Sequence, residues 1–177
     1  MTTITISGLP GSGKTTVARI LEKETGLEYV YSGQIFRSLA QKYHMTLEAF
    51  GQYAETHEKI DKELDDFQVS VLKKGDVIVE GRLAGWLAYQ HNIAALKVML
   101  EADLSTRTSR IVNREPGDLK HRKQEIQKRE QSEARRYKKY YGIDISDLSI
   151  YDLVIDTSDK SPNTIASLIL KNLKESS

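Results

Sequence analysis

The sequence predicts a three-layer α/β/α fold, a five-stranded parallel sheet with helices on both faces. Three observations predict it. Short β-branched or apolar runs alternate with longer segments of helical period, the order that builds a parallel sheet with crossover helices. The first run leads through a glycine-rich turn straight into a helix. No internal repeat and no low-complexity linker breaks the alternation.

The elements follow in order. Ile4 and Ile6 alternate with Thr3, Thr5 and Ser7, which is a strand pattern. Val17, Ala18 and Leu21 share one face of a helix that starts near Lys14. "LEYVYS" (27–32) reads as a second strand, and "GQIFRSLAQKY" (33–43) as a helix. Residues 46–75 read as one or two more helices, stopped at Gly75. "DVIVEGR" (76–82) is a buried strand, 95–102 another and 151–158 the last. Helices are expected over 105–115 and 121–141, the second closed by Gly142. A final helix over 161–174 opens with Ser161 as cap and Pro162 at its first position. Ligands of such a sheet collect at the carboxyl ends of the strands. Gly8 onward, Ser32 and Glu80 all follow strand ends and are expected to line one crevice.

Composition bounds the function. A chain of 177 residues forms one compact domain with a sizeable core. A net charge of +1 advertises no nucleic-acid or membrane partner. The absence of cysteine excludes a disulfide framework and thiolate metal sites. No signal peptide or membrane-length apolar run is visible, so a cytoplasmic protein is expected, and a monomer.

The glycine-rich turn carries the first chemistry. Gly8, Gly11 and Gly13 permit positive φ, and backbone N–H groups can converge on one point there. The following helix adds unpaired N–H groups and a partial positive charge. Gly8, Leu9, Pro10, Gly11, Ser12, Gly13, Lys14 and Thr15 fit the phosphate-loop (P-loop) spacing G-x-x-x-x-G-K-[ST], between a strand and a helix as the motif requires. Together with Thr16 they are expected to bind ATP. Lys14 would reach the β- and γ-phosphates, and the Thr15 hydroxyl would ligate Mg²⁺.

A phosphate loop serves many reactions, so the discriminating signals lie downstream. A guanine-reading N-K-x-D is absent. The strand "VIVEG" ends in a single acid, Glu80, followed by Gly81 and Arg82, rather than in an Asp-Glu pair that would polarise a hydrolytic water. Arginines recur after strand ends and on the late helices: Arg37, Arg82, Arg107, Arg110, Arg114, Arg129 and Arg136. So many cations around one crevice suit a site that holds two phosphorylated ligands. Arg129, Glu133 and Arg136 are four and three residues apart, on one helix face. The bland alternative is a solvated helix laced with ion pairs. Trp86 and the four histidines read as packing residues, and "RRYKKYYG" (135–142) as a helix with tyrosines packed inward rather than as an RNA-stacking surface.

"YSGQIFR" (31–37), "EGRLAGW" (80–86) and "REQSEARRY" (129–137), in this order after the phosphate loop, resemble the nucleoside monophosphate kinases, and among them the cytidylate kinases of compact archaeal type. The resemblance spans essentially the whole chain. It implies a P-loop kinase core over 1–32, 76–113 and 142–177. It also implies a small helical NMP-binding arm over 33–75, and a short lid region over about 114–120 with a following helix 121–141. It implies that Ser32, Gly33 and Arg37 bind CMP, and that Arg82 meets its phosphate. Arg129, Glu133 and Arg136 would face the active site, with Lys14, Arg82, Arg129 and Arg136 catalytic. Arg107 and Arg110, ahead of the turn at Glu115, Pro116 and Gly117, would clasp ATP from the lid side. Glu80 would reach Mg²⁺ through a water; it stands where cytidylate kinases usually carry Asp, one methylene shorter. Asp61, Asp65 and Gln68 share a helical face and are the candidates for reading the base, since a carboxylate accepts from the cytosine amino group. The implied reaction uses ATP, Mg²⁺ and CMP or dCMP, without a stable nucleic-acid partner. Alternatives are a kinase for AMP, UMP or a small alcohol, and a P-loop ATPase acting as an assembly or RNA-maturation factor. The shikimate type is disfavoured because its glycine-triplet substrate motif is absent.

Overall fold

All six residues of β1 (Thr3–Gly8) are buried, which places this strand at the middle of the molecule. The computed structural model describes residues 1–114 and 118–175. β1 pairs in parallel with β3 (Val77–Glu80) on one side and β4 (Leu96–Glu101) on the other. β2 (Glu28–Tyr31) extends the sheet beyond β3, and β5 (Leu153–Asp156) beyond β4. The order is β2-β3-β1-β4-β5, as expected of five parallel strands.

The alternation in β1 sorts two buried faces, not a buried and a wet one. Ile4 and Ile6 pack with Val17 and Leu21 of α1 (Lys14–Thr25) and with Ile165 and Ile169 of α8 (Pro162–Glu175). Thr3, Thr5 and Ser7 point to the opposite face and are buried as well. That face is covered by the end of α4 (Glu58–Lys74), by α5 (Ala84–Gln90) and by Ile143 and Ile150. Small hydroxyl residues there let α5 come close: the Gly85 N–H donates to Ser7 Oγ at 3.1 Å.

The remaining helices are α2 (Ser32–Lys42), α3 (Leu47–Thr56), α6 (Leu104–Val112) and α7 (Leu119–Tyr141). α2, α3 and the start of α4 close on a core of their own around Leu39, Phe50, Ala54 and Ile60. The caps follow the sequence. Ser161 Oγ accepts from the Thr164 N–H at 3.1 Å, and Gly75 and Gly142 end α4 and α7 at positive φ.

Of the one or two helices expected over 46–75 there are two, which break at His57. Elsewhere the structure corrects the expectation. Ser32 opens α2 instead of ending a strand. α5 was not expected: Ala84–Ala88 are all buried, so the segment has no polar face to reveal a helical period. The expected turn at Glu115, Pro116 and Gly117 lies outside the described residues. No helix is long and apolar enough to cross a membrane among the described residues.

Candidate active site

The phosphate loop joins β1 to α1, and its backbone is anchored from behind. Arg107 NH1 donates to Pro10 O at 3.1 Å, Arg110 NH1 to Gly11 O at 3.2 Å, and Thr157 Oγ1 to Ser12 O at 3.0 Å. In a trans peptide the C=O and the next N–H point in opposite directions. Drawing these carbonyls back therefore turns the Gly11 and Gly13 N–H groups outward. Gly11 has φ +80°, and a Cβ there would lie 2.5 Å from the Arg107 carbonyl oxygen, so no other residue fits. Gly13, at φ +93°, caps α1.

This anchoring involves the two arginines expected to clasp ATP, and the structure gives their contacts with the loop itself. Arg107 is only 5% exposed. Its Nε donates to Ala102 O, and its NH1 to Pro10 O and the Glu130 carboxylate. Arg110 also binds Thr157 through its hydroxyl and its carbonyl, at 2.9 and 2.6 Å. Both guanidinium groups brace the loop's own backbone. The reason is that a buried fork-shaped donor must be satisfied, and the loop carbonyls are its nearest acceptors.

Lys14 is folded back, its Nζ donating to Leu9 O at 3.0 Å. Burial, with help from the charge of Arg82, pushes its pKa down to about 7. Thr15 Oγ1 donates to Glu80 Oε1 at 3.0 Å. The other oxygen, Oε2, accepts from Tyr29 OH. Glu80 is 1% exposed at the carboxyl end of β3. A hydroxyl and a carboxylate beside the phosphate loop are hard oxygen donors. This set fits Mg²⁺, which keeps most of its waters and takes a few protein ligands together with phosphate oxygens.

A second cavity of about 600 Å³ opens beyond the ends of β2 and β3. Every residue expected to bind CMP lines it: Ser32, Gly33 and Arg37 from α2, Asp61, Asp65 and Gln68 from α4, Arg82 after β3, and Arg129, Glu133 and Arg136 from α7. The sequence reading missed its apolar and aromatic wall, including Tyr31, Phe36, Leu64 and Tyr137. Tyr137, four residues after Glu133, could have been found by extending that helix face. Gly81 makes the approach possible, since a Cβ there would fall 2.6 Å from Ser32 Oγ and 2.9 Å from Gln68 Oε1.

Charges in this cavity are paired across elements. Glu133 holds Arg82 and, at 3.0 Å, Arg129 Nε. Arg136 Nε meets Asp61 Oδ2 at 2.9 Å. Arg37 has no carboxylate partner among the described residues, a free guanidinium at the cavity wall. Arg129 is 67% exposed along its side chain, so its ion pair alone has the character of a solvated surface contact. Deeper in, Gln68 Nε2 donates to Asp65 Oδ1 at 3.1 Å, and Gln68 Oε1 is buried without a partner among the described residues. Burial pushes the Asp65 carboxyl up to about 7, against the opposing pull of the Tyr141 hydroxyl and with a contribution from Asp61. Burial likewise raises Asp61, and Arg136 opposes it.

A braced phosphate loop beside an arginine-lined acceptor cavity, on one parallel sheet, defines a small-molecule kinase of the P-loop class. The chain belongs to the cytidylate kinase-like family, whose model matches residues 3–159. It is 46% identical over 166 residues to a cytidylate kinase of Pyrococcus abyssi (strain GE5 / Orsay), covering 94% of this chain and 90% of that protein. It is 44% identical over 176 residues to a cytidylate kinase of Methanocaldococcus jannaschii, covering 97% and 99%. Among solved structures, a shikimate kinase from Bacteroides thetaiotaomicron superposes with a TM-score of 0.64 at 13% identity, over 98% of both chains. An uncharacterized protein from Eubacterium ventriosum superposes with a TM-score of 0.75 at 18% identity, over 98% of both. These two likenesses are of fold.

Proposed function

We propose that this chain is a cytidylate kinase: it transfers the γ-phosphoryl group of ATP to CMP, giving ADP and CDP, and accepts dCMP as well. The observation that carries this reading is the acceptor cavity itself. It runs from Arg37, which has no carboxylate partner among the described residues, to the buried Asp65–Gln68 pair, and Arg82, Arg129 and Glu133 on its wall are close enough for their charges to act on Lys14.

The acceptor needs little activation. A nucleotide phosphate has a second pKa of about 6, so it is largely a dianion at pH 7 and needs no general base. The obstacle is repulsion between two anions. Lys14, Arg37, Arg82 and Arg136 supply the compensating charge, and the loop N–H groups receive the donor phosphates. Glu133 orients Arg82 and Arg129 in advance, so little reorganisation remains when the phosphates enter. Thr15 and Glu80 would hold Mg²⁺, and the ion would supply charge neutralisation on the phosphates. The cavity's aromatic wall limits water near the transferring group.

Base choice follows from hydrogen bonding. Gln68 Oε1 is a buried acceptor that lacks a donor among the described residues, and the cytosine 4-amino group supplies one. Asp65, holding its proton near neutrality, can donate to cytosine N3. Uracil reverses both groups and leaves Gln68 facing another acceptor. All these residues come from one chain, so the reaction works in a monomer.

The test is an acceptor panel of CMP, dCMP, UMP and AMP with ATP and Mg²⁺, scored as kcat/KM for diphosphate formation. CMP is expected to lead, with dCMP next. Faster turnover of AMP than of CMP would remove the assignment.

A further inference from the structure

Glu80 is a long acid in a place where a shorter one would do, and the structure shows what restrains it. Its side chain has one more rotatable bond than aspartate, and a carboxylate free to swing would waste its position. The two oxygens are divided between two elements. Oε1 receives the Thr15 hydroxyl from α1 at 3.0 Å. Oε2 receives the Tyr29 hydroxyl from β2. β2 and β3 run in parallel with Tyr31 opposite Glu80. Tyr29, two residues earlier, points to the same face as Tyr31, and its length carries the hydroxyl up the strand to the carboxylate.

Tyr29 is held in turn. The Arg19 guanidinium lies 4.5 Å from the ring centroid, and Arg19 NH1 donates to Glu22 Oε2 at 2.9 Å. The ring also packs against the core beneath α1. Arg19 stands one helical turn after Thr15, so α1 carries both the hydroxyl that meets Oε1 and the cation that steadies the donor to Oε2.

We propose that Tyr29 is a positioning residue for the metal site: by pinning Oε2 it fixes the Glu80 side chain with Oε1 beside Thr15, where that oxygen receives a metal-bound water. The inference rests on the reading of Thr15 and Glu80 as the Mg²⁺-holding pair. Losing a group that orients a metal's ligand typically costs about 10–100-fold in metal affinity or activity. A purely structural role predicts something else. Tyr29 would then only satisfy a buried carboxylate, and its loss would lower stability while leaving metal affinity alone.

The experiment is Mn²⁺ binding, followed by the spin-resonance signal of free Mn²⁺, to the intact protein loaded with a non-hydrolysable ATP analogue. Tyr29→Phe is expected to weaken Mn²⁺ binding by about 10-fold or more. Binding of the analogue without metal should stay the same, and raising Mg²⁺ should recover kcat/KM for ATP. Wild-type Mn²⁺ affinity in Tyr29→Phe overturns the proposal. Glu80→Gln in the same assay separates the two layers. If it too leaves affinity unchanged, the reading of Glu80 as a metal-holding residue fails first; if it alone weakens binding, only the role of Tyr29 falls. Should Tyr29→Phe not fold, Arg19→Ala loosens the ring without touching a donor to Glu80. It is expected to weaken Mn²⁺ binding in the same direction by a smaller factor, and unchanged affinity there counts against the proposal.

Discussion

Lys14 shows how one residue's chemistry is altered by its surroundings. In sequence it is the lysine of a phosphate loop; in the structure it is folded onto Leu9 O with a pKa near 7. Bound phosphates would restore its charge. The sign follows. Free Lys14 is largely neutral above pH 7 and must take up a proton when ATP binds, so affinity is fully present below pH 7 and falls as pH rises through it. At pH 8 binding should take up close to one proton, and affinity should fall by about tenfold per unit at most. Calorimetry in two buffers of different ionisation enthalpy measures the uptake, and Lys14→Arg, which stays charged, should abolish it. Zero uptake in the wild type at pH 8 would mean that the lysine is charged before ATP arrives. The motif was legible because spacing alone defines it. The pKa was not, because it depends on burial and on Arg82, 68 positions away in sequence.

At the scale of elements, α7 decides between two readings that its sequence left open. "HRKQEIQKREQSEARRYKK" is charged enough to be a solvated helix. The structure divides it. Arg129 fits the solvated description, whereas Glu133 and Tyr137 are buried and Arg136 is nearly so. Arg136 also holds Asp61, a buried carboxylate on α4. The consequences of Arg136→Ala are therefore double. Turnover should fall by about 100-fold or more if the guanidinium meets the transferring phosphoryl group. Stability should also fall, by about 3–5 kcal/mol, because Asp61 is left buried and unpaired. The sequence pointed to a catalytic role for Arg136, but not to the stability cost, because its partner on α4 was not visible there. The double variant Asp61→Asn/Arg136→Ala should recover most of the stability and none of the turnover. Thermal melts beside kcat at saturating ATP and CMP check it, and recovery of kcat in the double variant would reduce Arg136 to a structural tie.

For the molecule as a whole, the notable division is between cores. The sheet is sealed by apolar clusters on its two faces, and the arm carries a third around Phe50. Phe50 is fully buried and contacts the rings of Phe36, Tyr43 and Tyr53. Phe50→Ala should cost about 3–5 kcal/mol at the site. Because this cluster lies apart from the sheet, the loss should appear as faster hydrogen exchange in α2, α3 and early α4, and as a higher KM for CMP. ATP binding should change little. Equal loss of protection in β1 and β4 would show that arm and sheet are one cooperative unit.

The sequence by itself determined the order of the five strands, the phosphate loop, the caps at Ser161, Gly75 and Gly142, and the polar side chains gathered in the cavity beyond β2 and β3. Each of these is written locally, in spacing, period or the residue types a backbone conformation demands, or is carried by short motifs that the family shares. Tertiary structure alone decided which arginine touches what. Arg107 and Arg110 turn inward to the loop carbonyls, Arg136 to Asp61, and Arg82 to Glu133. It also chose Tyr29 as the partner of Glu80 and hid α5 in a segment with no polar face. A long charged side chain is compatible with many partners along a chain. Only packing, which sets the burial of each group and the acceptors within reach, selects one.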